Sequence, residues 1–252
     1  TRESEIMLKL IKTLFSYATV FLCQGPSWKE FAVDTLNFDE ERVRTISNWT
    51  ATKEKLQIGA ERNFGYDDMS ANILFLGWLE DFKGVFELLR ASLALKESSL
   101  DFKLTLAGDG SAFEEASDFV KRHNLEKNVR LIGWVGSDTL DELLRDANIF
   151  VLPSWSEGLP NSMIEAMAAG LAIVVSSVGA VPDYIKDDHN GILVPARSVE
   201  KLKLALQSLI CDPALRDRLA LNAHVTAKDN FAAQKSVTEL SRLIEKISTK
   251  IE

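Results

Sequence analysis

Cysteine and histidine are scarce in this chain, and their scarcity excludes several kinds of chemistry. Among 252 residues there are two cysteines and three histidines. Cys23 and Cys211 lie far apart and outside any CxxC or Cys/His cluster. A structural zinc site is therefore not expected, and free thiols in a reducing compartment are, which points to the cytoplasm. His123, His189 and His224 are scattered and read as polar surface or helix-end residues rather than as catalysts. Basic excess is lacking too. A formal net charge of -8 speaks against a nucleic-acid partner, which needs a basic face, yet leaves room for a small basic pocket around an anionic ligand. Long apolar runs are also missing. The stretch IMLKLIKTLFSYATVFLC, residues 6 to 23, is broken by Lys9 and Lys12, and what remains is too short to span a bilayer. No small-residue cleavage site follows it, so it is a poor signal peptide. It reads as an amphipathic helix running into a buried strand at TVFLC. Because the chain starts on Thr1 rather than Met, these residues are expected to continue something upstream.

What is present is ordinary globular material, 46% hydrophobic and 26% charged, enough for one large or two modest domains. No internal repeat or low-complexity tract is evident. Short β-rich runs recur between helical stretches: ILFLG (73–77), KLTLAG (103–108), VRLIGW (129–134), IFVLPS (149–154), AIVVSS (172–177) and GILVP (191–195). They are continuous apolar runs, as expected of strands in a parallel sheet covered on both faces. The helical patterns between them imply right-handed crossovers, hence an α/β fold with a doubly wound, parallel, Rossmann-like sheet. From about residue 197 the pattern is helical only. The first fifty residues read strand, helix, strand (TVFLC, SWKEFAVDTLN, VRTISN), a single βαβ unit too small to be a domain and taken as the tail of one. The stretch QIGAERNFGYDDMSAN (57–72) then resembles an inter-domain linker.

In such a sheet, ligands bind beyond the carboxyl ends of the strands. Four loops fall there: GWLEDFKG, GDGSA, GWVGS and PSWSEGLPNS. Each carries glycine (Gly77, Gly108, Gly133 and Gly158 among them), which lets backbone approach a ligand closely. In the fourth loop Pro160 occupies or abuts a helix start. The backbone N–H groups around Asn161, Ser162 and Met163 then point outward, ready for an anion such as phosphate. Gly170 is a plausible residue to end the short helix. Glu165 lies one turn in and Glu157 just before the turn. Carboxylates only accept hydrogen bonds, so beside a phosphate site they would serve neighbouring hydroxyls of a ribose or a sugar. The plainer alternative is that Glu165 solubilises the helix and Glu157 favours its positive end. Lys83 is the natural cation for the same mouth, unless it is an ordinary surface lysine. Trp78 and Trp134, each after a strand-ending glycine, either line a base or sugar pocket or simply pack. GDGSAF lacks the third glycine of a dinucleotide fingerprint, GLPNS is no Walker loop, and Ser154, Ser156 and Ser162 have no GxSxG context.

The stretch EGLPNSMIEAMAAG resembles the E-x7-E motif of retaining glycosyltransferases with the GT-B fold, most closely glycosyltransferase family four. ILFLGWLEDFKG, LTLAGDGSA, VRLIGWV, ANIFVLPSWSEG, GLAIVVSSVGAVPDYI and NGILVP also resemble family segments, in the family's order, over about residues 70 to 235. The resemblance implies two Rossmann-like domains facing each other, the C-terminal one holding a nucleoside-diphosphate sugar and the N-terminal one the acceptor. It implies residues 1–66 as the tail of the N-terminal domain and a linker, 67–230 as the nucleotide-sugar-binding domain, and 231–252 as a C-terminal helix packing back. Carried over by motif position, Glu157 would contact the donor sugar and Glu165 the ribose. The backbone around Gly158, Leu159, Asn161 and Ser162, with Lys83, would stabilise the departing diphosphate. Glu157 and Lys83 are thus the expected catalytic groups, with Gly77, Trp78, Gly108, Gly133 and Trp134 completing the donor site.

No metal and no other cofactor is expected, since the helix start and side-chain cations would meet the leaving-group charge. Two departures stand out. Trp78 occupies the place where the family usually has arginine, and most of an N-terminal domain is absent, along with its acceptor-binding residues. The expected function is a hexosyltransferase-type enzyme of glycan biosynthesis whose isolated chain is inactive, needing its missing domain or a complementary chain. The alternative is a nucleotide-sugar-binding module without transferase activity. The nucleotide, the sugar and the acceptor (glycan, lipid or small molecule) stay open, as does peripheral association with the inner face of the membrane.

Overall fold

The computed structural model describes residues 2–64 and 71–248. The chain opens with α1 (Arg2–Ser16), β1 (Phe21–Cys23) and α2 (Pro26–Glu30), which runs on as a wider π-helical turn over Phe31–Thr35. Next come β2 (Val43–Thr45) and α3 (Lys53–Ala60). Strands and helices then alternate: β3 (Asn72–Leu76), α4 (Val85–Glu97), β4 (Lys103–Ala107), α5 (Phe113–Arg122), β5 (Val129–Gly133) and α6 (Ser137–Asp146). The alternation continues through β6 (Ile149–Leu152), α7 (Asn161–Ala168), β7 (Ala172–Ser176), α8 (Val181–Tyr184) and β8 (Ile192–Val194). Three helices close the chain: α9 (Val199–Cys211), α10 (Pro213–Phe231) and α11 (Ala233–Ser248).

The larger sheet has the order β5-β4-β3-β6-β7-β8, and every pairing is parallel. All residues of β6 and β7 are buried, which is why these strands read as unbroken apolar runs. Helices α4, α5 and α9 pack together, as do α3, α6, α7 and α10, covering the sheet with two helical layers. The strand order reverses between β3 and β6, so the crevice beyond their carboxyl ends is the topological switch point. The doubly wound parallel architecture is as the apolar runs imply.

The N-terminal segment is less sheet-like than its sequence suggests. β1 and β2 form a two-stranded parallel sheet with a small core of its own, Cys23, Ala32, Phe38 and Val43. TVFLC does not form a buried strand: three of its residues pair, and Leu22 is exposed, because only one face of this sheet is covered. VRTISN pairs only over Val43–Thr45. Residues around it reach across to the larger unit instead: Ser47 Oγ and the Tyr184 hydroxyl are 3.0 Å apart. Ser27 donates from its N–H (3.0 Å) and hydroxyl (2.7 Å) to Asp183 Oδ2, and the Tyr184 hydroxyl donates to the Gln24 carbonyl at 2.8 Å.

The stretch taken for a linker begins as structure. Gln57–Ala60 is the last turn of α3, and Arg62 is pinned beyond it, donating to the carbonyls of Ala169 (2.5 Å), Ala147 (2.7 Å) and Leu144. Residues 65–70, and with them the domain boundary expected at 66/67, lie outside the described residues, as do residues 249–252 of the expected C-terminal helix. Among the described residues no helix is long and apolar enough to cross a membrane.

Candidate donor-binding cleft

A cleft of about 500 Å³ opens at the switch point. It is lined by Gly77, Trp78 and Lys83 from the β3–α4 loop, Gly108 from the β4–α5 loop and Trp134 from the β5–α6 loop. Glu157, Leu159, Asn161, Ser162 and Glu165 complete it from the β6–α7 loop and α7. Of the donor-site residues the resemblance implies, Gly133 and Gly158 do not line it. Another cavity, near 320 Å³, lies at the amino ends of β3, β4 and β5 between Asn72, Lys103 and Asn128, away from the loops that carry these groups.

Lys83 stands ahead of α4 rather than within it. It closes a single 3-10 turn, Asp81–Lys83, and Gly84 separates it from α4 with φ of 73°. A Cβ at Gly84 would sit 2.1 Å from the Pro153 carbonyl oxygen, so only glycine lets this turn press onto the loop after β6. The Trp155 N–H donates to the Phe82 carbonyl at 2.7 Å and ties the two loops together. The outcome is an ion pair: Lys83 Nζ lies 2.7 Å from Glu157 Oε1, with the side chains 17% and 9% exposed. An ammonium has three N–H donors. Glu157 uses one, leaving others for a ligand.

Helix α7 is asymmetric in how its ends are satisfied. At its start Pro160 is the cap residue in extended conformation, with no side-chain cap and no acidic residue in the first turn. The N–H groups of the first turn have no intrahelical acceptor, and the helix dipole adds positive potential there. At its end the Gly170 N–H donates to the Met167 carbonyl and the Leu171 N–H to the Ala166 carbonyl, both at 3.0 Å, a Schellman motif. His224 Nδ1 donates to the Ala168 carbonyl at 2.7 Å, and Arg62 takes Ala169. His224 is thus neither a surface nor a helix-end residue. It sits within α10 and caps α7.

Three residues that sequence reasoning passed over stand behind the site and contact its lining or each other. Asn48 Nδ2 donates to the Leu159 carbonyl (3.0 Å) and to Asn161 Oδ1 (2.7 Å), bracing the helix start from the N-terminal segment. Gln24 donates to Asn48 Oδ1 at 2.8 Å, and its Oε1 would lie 3.2 Å from a Cβ on Gly158. Lys55, on α3, approaches Glu165 Oε1 at 3.8 Å and Asp141 Oδ1 at 3.5 Å. Burial pushes the Glu165 carboxyl above the usual carboxylate range; Lys55 opposes the shift and Asp141 adds to it. No local signal in the sequence marks these residues.

The glycines divide by cause. A Cβ on Gly108 would meet the Gly77 carbonyl oxygen at 1.9 Å, so the packing of loop on loop by itself requires glycine there. At Gly133 nothing lies within 4 Å, leaving open room beside the cleft. Trp78 and Trp134 do not pack inside: they are 66% and 77% exposed at the rim. Among the described residues no group of three or more His, Cys, Asp or Glu is placed to hold a metal ion.

The Glycosyl transferases group 1 family matches residues 60–226. An uncharacterized glycosyltransferase of Methanocaldococcus jannaschii is 30% identical over 235 residues, covering 89% of this chain and 60% of its own length. The chain therefore spans about three-fifths of that relative. Among solved structures, the sucrose-phosphate synthase of Thermosynechococcus elongatus superposes with a TM-score of 0.82 at 22% identity, covering 98% of this chain and 62% of its own. Anabaena HepE in complex with UDP gives 0.77 at 18% identity, over 95% of this chain and 67% of its own. At those identities the likeness concerns the fold, which is that of the GT-B glycosyltransferases. An α/β fold of this type, a cleft at its switch point with an open helix start and a cation, and a family match across most of the chain lead to one conclusion: the chain belongs to the Glycosyl transferases group 1 family.

Proposed function

We propose that this chain is the donor-binding part of a retaining glycosyltransferase of family four, moving a sugar, hexosyl in type, from a nucleoside-diphosphate sugar to an acceptor. The observation that carries the reading is the Lys83–Glu157 ion pair, which shares one cleft with the uncapped start of α7. The diphosphate fits the open N–H groups of Leu159, Asn161 and Ser162 and the spare N–H bonds of Lys83. Glu157 then accepts from a donor-sugar hydroxyl and Glu165 from the ribose. Donors already aimed at the departing diphosphate need no reorganisation as the glycosidic bond breaks, which is the economical way to stabilise a leaving group. No metal is required in this reading. UDP, bound in the HepE structure, is the first nucleotide to test.

Residues 1–66 are assigned to the tail of an acceptor-side Rossmann-like domain and a linker whose helix α3 packs on the donor side, 67–230 to the donor domain and 231–252 to a helix returning to the acceptor side. Cavities between α11 and β2, lined by Arg44 and Leu243 and by Thr45 and Ser236, fit that last assignment. The acceptor binds on the side this chain mostly lacks, so the isolated chain binds donor without transferring sugar. The intact enzyme works in the cytoplasm, in glycan biosynthesis. A second reading, a binding module without transferase activity, is favoured by one feature: Trp78 stands where the resemblance calls for arginine, leaving Lys83 as the cleft's lone lining cation among the described residues.

Thermal shift with uridine, guanosine and adenosine diphosphates and their sugars is the test. A ligand at 100 times its dissociation constant stabilises the fold by about 2.7 kcal/mol. No shift at millimolar ligand refutes the donor site, and robust transfer by the isolated chain refutes the claim that essential parts are missing. Titration in excess chelator, then with magnesium, tests the metal-free reading, which a strict metal requirement would overturn.

A further inference from the structure

Glu165 has company that the donor reading does not use. Three helices converge behind the cleft and each contributes one charged side chain: Glu165 from α7, Lys55 from α3 and Asp141 from α6. Lys55 is 11% exposed and Glu165 19%, and only Glu165 reaches the cleft wall. Lys55 Nζ stands 3.5 Å from Asp141 Oδ1 and 3.8 Å from Glu165 Oε1. Both separations exceed the roughly 2.7–2.9 Å of a charge-assisted hydrogen bond. Asp141 Oδ1 is buried without a hydrogen-bond partner.

An ion pair built only to hold helices together would be expected to close to hydrogen-bonding distance, because a buried charge is costly unless well paired. Here one ammonium is shared loosely by two carboxylates, and the cluster carries a net formal charge of -1. Removing the ammonium would leave the Glu165 carboxyl beside the partly exposed Asp141 carboxylate with no opposing charge, which favours its protonated form. A protonated Glu165 loses half of its value as an acceptor for paired hydroxyls. Other nearby basic groups are engaged elsewhere: on α10, His224 donates to the Ala168 carbonyl, and in the cleft Lys83 pairs with Glu157 rather than with Glu165.

We infer that Lys55 is a positioning residue of the donor site, its ammonium keeping the Glu165 carboxylate charged at the cleft wall. The inference deepens the donor-site reading and rests on it for the identity of the ligand, but Lys55's hold on Glu165 can be measured with no ligand present. Burial already lifts the Glu165 carboxyl and Lys55 is the group opposing that rise, in agreement with the geometry.

The experiment is a carboxyl-carbon NMR titration of Glu165 in the unliganded chain, for wild type, Lys55→Met and Lys55→Arg. Lys55→Met is expected to move the Glu165 midpoint upward and Lys55→Arg to restore it. Asp141→Asn, a second variant should Lys55→Met not fold, is expected to move the midpoint downward. A merely structural lysine would lower the melting temperature and leave the midpoint where it was, which overturns the inference. UDP titrations of the same variants between the two midpoints should show a loss of about ten- to a hundredfold for Lys55→Met, matching a charge-assisted bond of roughly 1.5–3 kcal/mol. A shifted midpoint with no binding of UDP, GDP or ADP by any variant would refute the donor reading and leave Lys55's hold on Glu165 standing. An unshifted midpoint with intact wild-type binding would do the reverse.

Discussion

Replacing Glu157 by glutamine keeps the shape of the side chain and removes its charge, and the Lys83 ion pair makes the outcome depend on the ligand. Glu157 Oε1 and Lys83 Nζ are 2.7 Å apart. A phosphate oxygen accepting from the same ammonium would therefore lie about 5 Å from the carboxylate, if its own bond is roughly 2.8 Å. At an effective dielectric of about 20, two unit negative charges about 5 Å apart repel by about 3 kcal/mol. In Glu157→Gln that repulsion is gone and Lys83 is freed from its partner. A bare nucleoside diphosphate should bind as well as before or better. The nucleotide sugar gains the same relief but loses a charge-assisted hydrogen bond to the sugar, worth about 1.5–3 kcal/mol. The advantage the sugar confers over the bare diphosphate should thus shrink about ten- to a hundredfold. Calorimetric titration of both proteins with both ligands gives four affinities, and the ratio of ratios is insensitive to loss of active protein. Equal losses for the two ligands would show that Glu157 acts on the part they share, or only through its loop. No change in any of the four would return Glu157 to a role at the helix start alone.

The other predictions follow from neighbouring contacts. Lys83→Met should weaken bare diphosphate and nucleotide sugar alike by about ten- to a hundredfold in calorimetry, since the phosphates are common to both; a loss confined to the sugar-bearing ligand would misplace the cation. Glu165 is raised in the folded state by burial, so its contribution to stability is present below its unfolded pKa and is lost as pH rises through the folded one. Glu165→Gln should accordingly melt higher than wild type on the alkaline side of that midpoint and lose the difference in acid, while binding UDP more weakly; melting curves against pH check the sign. Arg62, whose guanidinium burial pulls down to about 10, donates to the carbonyls of Leu144, Ala147 and Ala169. Arg62→Met should cost about 1–3 kcal/mol for each carbonyl left without a partner, read in denaturant melts, and leave the UDP dissociation constant unchanged.

How much of this was legible beforehand depends on the range of each interaction. Apolar runs such as AIVVSS and IFVLPS are local, and burial on both faces leaves that signature directly in the chain, so the parallel sheet could be read in order. Helix punctuation is local as well: Pro160 before α7 and Gly170 after it sit where the open N–H groups and the Schellman turn require. The E-x7-E spacing placed Glu157 and Glu165 at one mouth for the same reason. TVFLC shows the limit of local reading, because an apolar run says that a face can be buried and not whether anything covers it.

Tertiary structure decided what those groups do to one another. Lys83 and Glu157 are 74 residues apart, and meet only because the strand order reverses between β3 and β6. Nothing in either segment encodes the other. Asn48 reaches Leu159 across 111 residues, and Lys55 looks like any solvated helix lysine until α3, α6 and α7 pack around it. Gly108, which lines the cleft, is also held to glycine by the Gly77 carbonyl pressed against it, a contact the sequence does not show. Periodicity and spacing thus determined which elements form and which loops carry the chemistry. Which charges pair, and which carboxylate faces the cleft, was set by the crossover order and by contacts between segments far apart in the chain, where no pattern of neighbouring residues can record them.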